Sequence, residues 1–294
     1  MKILLTGRKG QVGFELRRSL ALLGNCVAVD IADCDLSNEA AVRQLIQSYK
    51  PDVIVNPAAY TAVDKAESDQ ALAKAINAHA PHVMAEEAER LGALLVHFST
   101  DYVFDGEKES AYTENDQPNP QNVYGATKLE GERAVQRNCT KHLILRTSWV
   151  VGAHGDNFAK TMLRLASERD ALSVVADQFG VPTSAALLAD LTAHLIRQAF
   201  QAPENFPHGL YHAVASGTTN WHEYACFVIE RVRATGKLLR VAPNNIKPIT
   251  TADYPTPAKR PANSRLDTTK LRNTFGLHLP NWQEGVGHIL DQII

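Results

Sequence analysis

The chain has 294 residues, of which 45% are hydrophobic, enough for a large core and an expected single domain with an appended lobe. Its 30 basic residues nearly balance 32 acidic ones, so neither nucleic acid nor an anionic membrane is an expected partner. No apolar run approaches the ~20 residues that span a bilayer. The start, Met1–Thr6, is too short for a signal peptide before glycines begin, so a cytoplasmic protein is expected.

Lys2–Thr6 is an apolar run ending at a glycine, and Val12–Leu23 carries apolar residues at helical spacing with Gly24 as its stop. Cys26–Asp30 reads as the next strand. Ser37 is a candidate cap for a helix running to Tyr49, ended by Lys50-Pro51. Val53–Ala59 is strand-like, and an alanine-rich helix covers Ala66–Leu91. Leu94–Thr100 is a strand, Tyr124–Arg137 a helix and His142–Val150 a strand. Short strands alternating with helices predict an α/β fold, a Rossmann-type doubly wound parallel sheet covered on both faces.

Beyond Val151 the pattern loosens. Helices are predicted at Asn157–Glu168, Ala185–Phe200, Trp221–Thr235 and Trp282–Ile294, separated by the proline-bearing loops Asp177–Thr183 and Ile246–Ser264. Loops this long are usually functional or disordered. The expected division is a nucleotide-binding domain over residues 1–150 and a smaller, mainly substrate-binding lobe over 151–294, with parts of the later chain returning to the first.

Gly7, Gly10 and Gly13 stand between a strand and a helix. Gly7 permits a tight turn, Gly10 lets a pyrophosphate approach the backbone at Gln11 and Val12, and Gly13 allows close helix–strand packing. An ordinary glycine-rich turn would look similar, but the setting is right on both sides. Asp30 ends the second strand, where an acid meets ribose hydroxyls and favours NAD. Arg8 and Lys9 would neutralise the 2′-phosphate of NADP. The two signals conflict, so use of either NADH or NADPH is expected.

Tyr124 and Lys128 lie four apart at the start of a predicted helix, on one face. A neighbouring ammonium favours the phenolate and is expected to lower the tyrosine pKa from ~10 toward working pH. YxxxK alone also describes a surface helix turn. Paired with an upstream glycine loop it reads as a reductase site. Thr100 ends the fourth strand, where open α/β sheets bind ligands, although Ser99-Thr100 would also make a simple turn. The cysteines Cys26, Cys34, Cys139 and Cys226 are scattered and read as small apolar filler. The pairs His79/His82 and His208/His212 lack the carboxylate or cysteine neighbours of a metal site.

At these residues the chain resembles the extended short-chain dehydrogenase/reductase family. More narrowly, Ser99–Gly106 (STDYVFDG), Asn122–Glu130 (NVYGATKLE), Arg146–Val150 (RTSWV), Asp177–Thr183 (DQFGVPT) and Arg260–Asp267 (RPANSRLD) resemble the dTDP-4-dehydrorhamnose reductases. The resemblance runs from the first strand to the last helix. It implies Tyr124 as proton donor, Lys128 as its electrostatic partner and ribose ligand, and Thr100 as the carbonyl-binding hydroxyl. It further implies cofactor contacts at Gly10–Val12, Asp30, Asp35, Leu36, Ala58, Ala59, Tyr60 and Thr61, and sugar-nucleotide contacts at Asp101 and Trp149. Lys259, Arg260 and Arg265 are candidates to pair with the diphosphate, the alternative being a solvated basic cluster.

The implied activity is NAD(P)H-dependent reduction of a dTDP-sugar ketone in dTDP-rhamnose, and hence O-antigen and lipopolysaccharide, biosynthesis. A monomer or homodimer is expected. Family members are described as bridging subunits with magnesium through glutamates. Glu15 is present, but Ala186 and Gln292 stand at the other positions, which speaks against that metal here. A sugar-nucleotide 4-epimerase or 4,6-dehydratase keeps the fold and changes the chemistry, although similar dehydratases carry Thr-Asp-Glu where this chain has Tyr102. A non-catalytic regulatory subunit, like the similar beta subunit of methionine adenosyltransferase, has no need of threonine, tyrosine and lysine together.

Overall fold

Alternate residues of the first strand, β1 (Lys2–Leu5), face opposite ways: Ile3 and Leu5 enter one buried cluster and Leu4 another. Burial on both faces is what an all-parallel sheet demands. The structure, a computed structural model, describes residues 1–294. From β1 the chain runs through α1 (Gln11–Leu20), β2 (Asn25–Ala28), α2 (Glu39–Tyr49), β3 (Val53–Asn56), α3 (Val63–Ala66) and α4 (Gln70–Lys74). It continues through α5 (Ala80–Leu91), β4 (Leu94–Thr100), α6 (Val123–Asn138) and β5 (His142–Thr147). The second half holds β6 (Val150–Val151), α7 (Phe158–Glu168), β7 (Leu172–Val175), β8 (Phe179–Gly180), β9 (Thr183–Ser184), α8 (Ala185–Gln201) and β10 (Gly209–His212). It closes with β11 (Thr219–Asn220), α9 (Trp221–Ala234), β12 (Ile246–Ile249), α10 (Thr269–Phe275) and α11 (Trp282–Ile293).

Six parallel strands form the main sheet in the order β2-β1-β3-β4-β5-β10. One face is covered by α1, α8 and α10 through residues such as Leu16, Leu188 and Leu271; the other by α2, α5 and α6 through Ile46, Met84 and Val135. Of the second half, β10 thus joins the six-stranded sheet and α8 and α10 pack on it. The rest of that half builds separate cores around Tyr224, Val228 and Trp282 and around Met162, Leu172 and Ile229. No helix is long and apolar enough to cross a membrane.

Several predicted bounds shift for identifiable reasons. Gly24 does not stop α1, which ends at Leu20; a Cβ there would sit 2.1 Å from the Met1 carbonyl, so glycine serves close approach. Asn38, not Ser37, caps α2 by accepting the Ala41 amide, while Ser37 donates to Asp35. β3 ends at Asn56, before Pro57, which has no amide to give a ladder. The helix expected over Ala66–Leu91 begins as the separate α3 and contains a π-turn at Ala75–His79. Such turns often mark functional positions, and this one holds Asn77, which bonds Tyr60 and Thr127. The strand expected over His142–Val150 is split by Trp149, whose φ of 46° is left-handed. The loop expected over Ile246–Ser264 starts with β12, paired to β7.

Candidate active site

The glycine loop lies at the C-terminal end of β1 under strict packing limits. Gly7 has φ 61°, and a Cβ on Gly13 would lie 2.0 Å from the Gly7 carbonyl. Gly10 caps α1 and has no side chain to satisfy the first amides of the helix. Those amides, at Gln11, Val12 and Gly13, border a cleft of about 600 Å³ that starts at Gly7. Asp30, Asp35 and Leu36 form one wall, and Ala58, Ala59 and Thr61 another. Tyr124 and Lys128 close the far end. Uncapped amides at one end and a phenol–amine pair at the other suit a dinucleotide.

Not every expected cofactor residue faces this cleft. Tyr60 does not line it: its phenol donates to Asp69 at 2.9 Å and its amide to Asn77 at 2.8 Å. Gln11 borders the cleft but holds the chain after β5, donating to Val150 and accepting from Gly152 and Asn157. Asp30 accepts the Lys9 amide at 2.8 Å. Arg8 pairs with Asp33 at 3.1 Å, so the acid and the base that disagree about the cofactor stand side by side. Glu15 is bonded to Arg18 at 3.5 Å, and no group of three metal-ligating side chains occurs.

At the far end, α6 is capped by Asn122, which accepts the Gly125 amide at 2.8 Å. The cap fixes where the helix starts and so aims Tyr124 and Lys128. Thr100 donates to Asp101 at 3.0 Å, and its hydroxyl opposes the rise in the Tyr124 pKa. The ionisation of Tyr124 departs from expectation. Burial pushes it up to about 12, with Thr100 opposing and the Asp101 charge adding to the rise. Lys128 does not lower it. Its amine donates to the Phe98 carbonyl at 2.6 Å, and burial pulls Lys128 down to about 8 against the pull of Glu132. Desolvation therefore outweighs the cation, and the phenol keeps its proton.

Asp101 is 3% exposed, and burial raises it to about 6. Its Oδ2, like Ser99 Oγ and Thr147 Oγ1, is buried without a protein partner, the condition that a bound polar ligand relieves. Trp149 stacks on Trp221 with ring centres 3.6 Å apart. The basic residues of the late loop are each engaged. Arg260 pairs with Asp64 at 2.7 Å and lies over the Tyr102 ring, leaving its Nη1 buried and unpartnered. Arg265 donates to Asn263 and the Glu109 carbonyl, and Lys259 to Gln121 at 3.3 Å. The alternative of a merely solvated cluster does not describe Arg260, whose side chain is 20% exposed.

The whole chain, residues 1–294, matches the family model described as the RmlD substrate binding domain. It is 52% identical to the dTDP-4-dehydrorhamnose reductase of Shigella flexneri, over 100% of this chain and 98% of that one. The chain belongs to the dTDP-4-dehydrorhamnose reductase family. The Salmonella typhimurium member is 53% identical over the same shares. Among solved structures, the Bacillus anthracis reductase in complex with NADP is 36% identical, with a TM-score of 0.90 over 99% of each chain. At 20% identity, the Thermus thermophilus UDP-glucose 4-epimerase complexed with NAD shares the fold, with a TM-score of 0.79.

Sequence reasoning overlooked His97, which lies 3.4 Å from the Lys128 amine. A lone histidine inside the apolar strand Leu94–Thr100 was the available signal. It also overlooked the chain after β6, where His154 bonds the Lys9 carbonyl and Gly155 and Asp156 border the cleft.

Proposed function

We propose that this protein reduces the C4 ketone of dTDP-4-dehydro-L-rhamnose to dTDP-L-rhamnose, using NADH or NADPH. The observation that carries the reading is the Tyr124–Lys128 pair on the same cleft as the glycine loop, with burial keeping the phenol protonated. A reduced nicotinamide bound in this cleft would supply the hydride for C4. Negative charge then grows on the C4 oxygen, and Tyr124 delivers the proton that completes the alcohol. Thr100 orients that oxygen by hydrogen bonding. Lys128 holds the nicotinamide ribose, and the amides after Gly10 hold the diphosphate of the cofactor.

On the substrate side, Asp101 takes sugar hydroxyls, Trp149 packs on the sugar nucleotide, and Arg260 and Arg265 meet its diphosphate. The second-half elements outside the main sheet, within residues 151–294, form the lobe that covers it. One chain supplies all of these groups, so either a monomer or a homodimer is compatible with the reading.

Tyr102 argues against elimination chemistry. It stands where similar dehydratases have a glutamate, and burial pushes its phenol further from ionising, so it is no base. The test is cofactor stoichiometry: one NAD(P)H oxidised per ketone supplied supports the reductase, whereas catalytic cofactor recycling would replace it with an epimerase or dehydratase.

A further inference from the structure

His97 is fully buried on β4. Its two ring nitrogens face different partners: Nδ1 lies 3.1 Å from Asn56 Nδ2, and Nε2 lies 3.4 Å from Lys128 Nζ. Asn56, buried on β3, accepts the Thr6 hydroxyl at 2.6 Å. Thr6, Asn56, His97 and Lys128 therefore form one hydrogen-bonded chain beneath the cleft. Only its two ends, Thr6 and Lys128, border the cleft.

A neutral imidazole donates from one nitrogen and accepts at the other. In one arrangement Thr6 donates to Asn56, Asn56 to Nδ1, and Nε2–H to a neutral amine. In the reverse, the Lys128 ammonium donates to Nε2, Nδ1–H to the Asn56 oxygen, and the Asn56 amide to the Thr6 oxygen. A half-turn of the Asn56 amide and a change of tautomer interconvert them. Neither arrangement leaves a link of the chain without a partner, the state that costs most in a buried network.

We infer that His97 is a positioning residue for Lys128, keeping its amine in place and partnered both with and without its proton. The inference rests on the reading of Lys128 as the partner of Tyr124. The other groups facing Lys128 are compatible with this. Tyr124 and Glu132 come from its own helix, and Glu132, whose charge favours the ammonium, is held by Arg146 of β5 at 2.6 Å. Asp101, after β4, acts on Tyr124, and the π-turn presents the neutral Asn77, bonded to Thr127. Burial and the Lys128 charge hold the imidazole well below its ordinary pKa, so the ring stays neutral, as the chain requires.

The test is an NMR titration of isotope-labelled lysine in the full chain without cofactor, with the Lys128 signal identified by its loss in Lys128→Met. The wild-type midpoint is expected near 8. His97→Leu removes a bond worth more to the ammonium than to the amine, so the midpoint falls by about half a unit or more. Asn56→Asp can only accept, fixes the chain in the direction that favours the ammonium, and raises the midpoint. The alkaline limb of kcat/KM moves with each. A folded variant of either kind with an unmoved midpoint overturns the inference, and Asn56→Asp decides alone if His97→Leu does not fold. Unmoved midpoints alongside an inactive Tyr124→Phe reject the role of His97 only. A fully active Tyr124→Phe rejects the catalytic reading itself.

Discussion

Gly180 lies directly against Trp149: a Cβ at this glycine would sit 2.7 Å from the indole Cε2 and 2.8 Å from Cζ2. Trp149 is held in place, because its indole stacks on Trp221 and its backbone is already left-handed. Gly180→Ala is therefore expected to push the indole off its stack. The expected outcome is a raised KM for the dTDP-sugar with cofactor affinity unchanged, and a stability loss of about 1–3 kcal/mol from overpacking. Steady-state kinetics and thermal unfolding check both parts.

The glycine loop makes the opposite separation. A methyl group at Gly13 cannot coexist with the Gly7 carbonyl at 2.0 Å, so Gly13→Ala must spread the turn that carries the phosphate-facing amides. Cofactor affinity, measured by NADH fluorescence, is expected to fall by about 100-fold (roughly 3 kcal/mol). An unchanged affinity would remove the dinucleotide from this loop.

Much of this was legible from sequence where the signal is local. β4 has the predicted ends, and α6 starts and stops within one residue of its predicted bounds, because an apolar run and a capped helix each carry their limits in their own residues. Tyr124 and Lys128 face one cleft because they lie one turn apart on that helix. The remainder depends on contacts between residues far apart. Tyr60 turns away because Asp69 and Asn77 are nearer partners. Arg260 is fixed by Asp64, 196 residues away. The suppressed ionisation of Tyr124 follows from burial, which neighbouring charges in the sequence do not report.

Asp101 gives the protein a pH-dependent stability with a definite sign. Its pKa is raised on folding, so its favourable contribution is complete below about 3.8 and is lost as pH rises through about 6. Asparagine has no charge to bury. Asp101→Asn is expected to be more stable than wild type by up to ~3 kcal/mol at pH 8, with the difference vanishing near pH 4. Urea unfolding at both pH values checks it. Subtracting the two proteins cancels His212, which burial and Arg146 pull down to about 3 and which acts in the opposite direction.

Glu132 and Arg146 form a bidentate pair with side chains 1% and 4% exposed. Removing one partner strands the other charge in the core. Glu132→Gln is expected to cost about 3–5 kcal/mol, read as a lower midpoint of urea unfolding. A loss below ~1 kcal/mol would mean that water reaches Arg146.

Asp30 and Arg8 pull cofactor choice in opposite directions and both contact Asp33, Arg8 through its guanidinium and Asp30 through its amide. The ratio of kcat/KM for NADPH and NADH is expected to lie within about a hundredfold (roughly 3 kcal/mol), with Arg8→Ala shifting it toward NADH. A stricter wild-type preference would show that only one of the two residues acts on the cofactor.

The most direct measurement is the rate of NAD(P)H oxidation by Tyr124→Phe with saturating dTDP-4-dehydro-L-rhamnose. Loss of a positioned proton donor predicts a fall in kcat of about 10²–10⁴, with cofactor affinity retained because the glycine loop is untouched. A rate within about twofold of wild type would mean that the proton comes from elsewhere, and that Tyr124 is a wall of the cleft and not its acid.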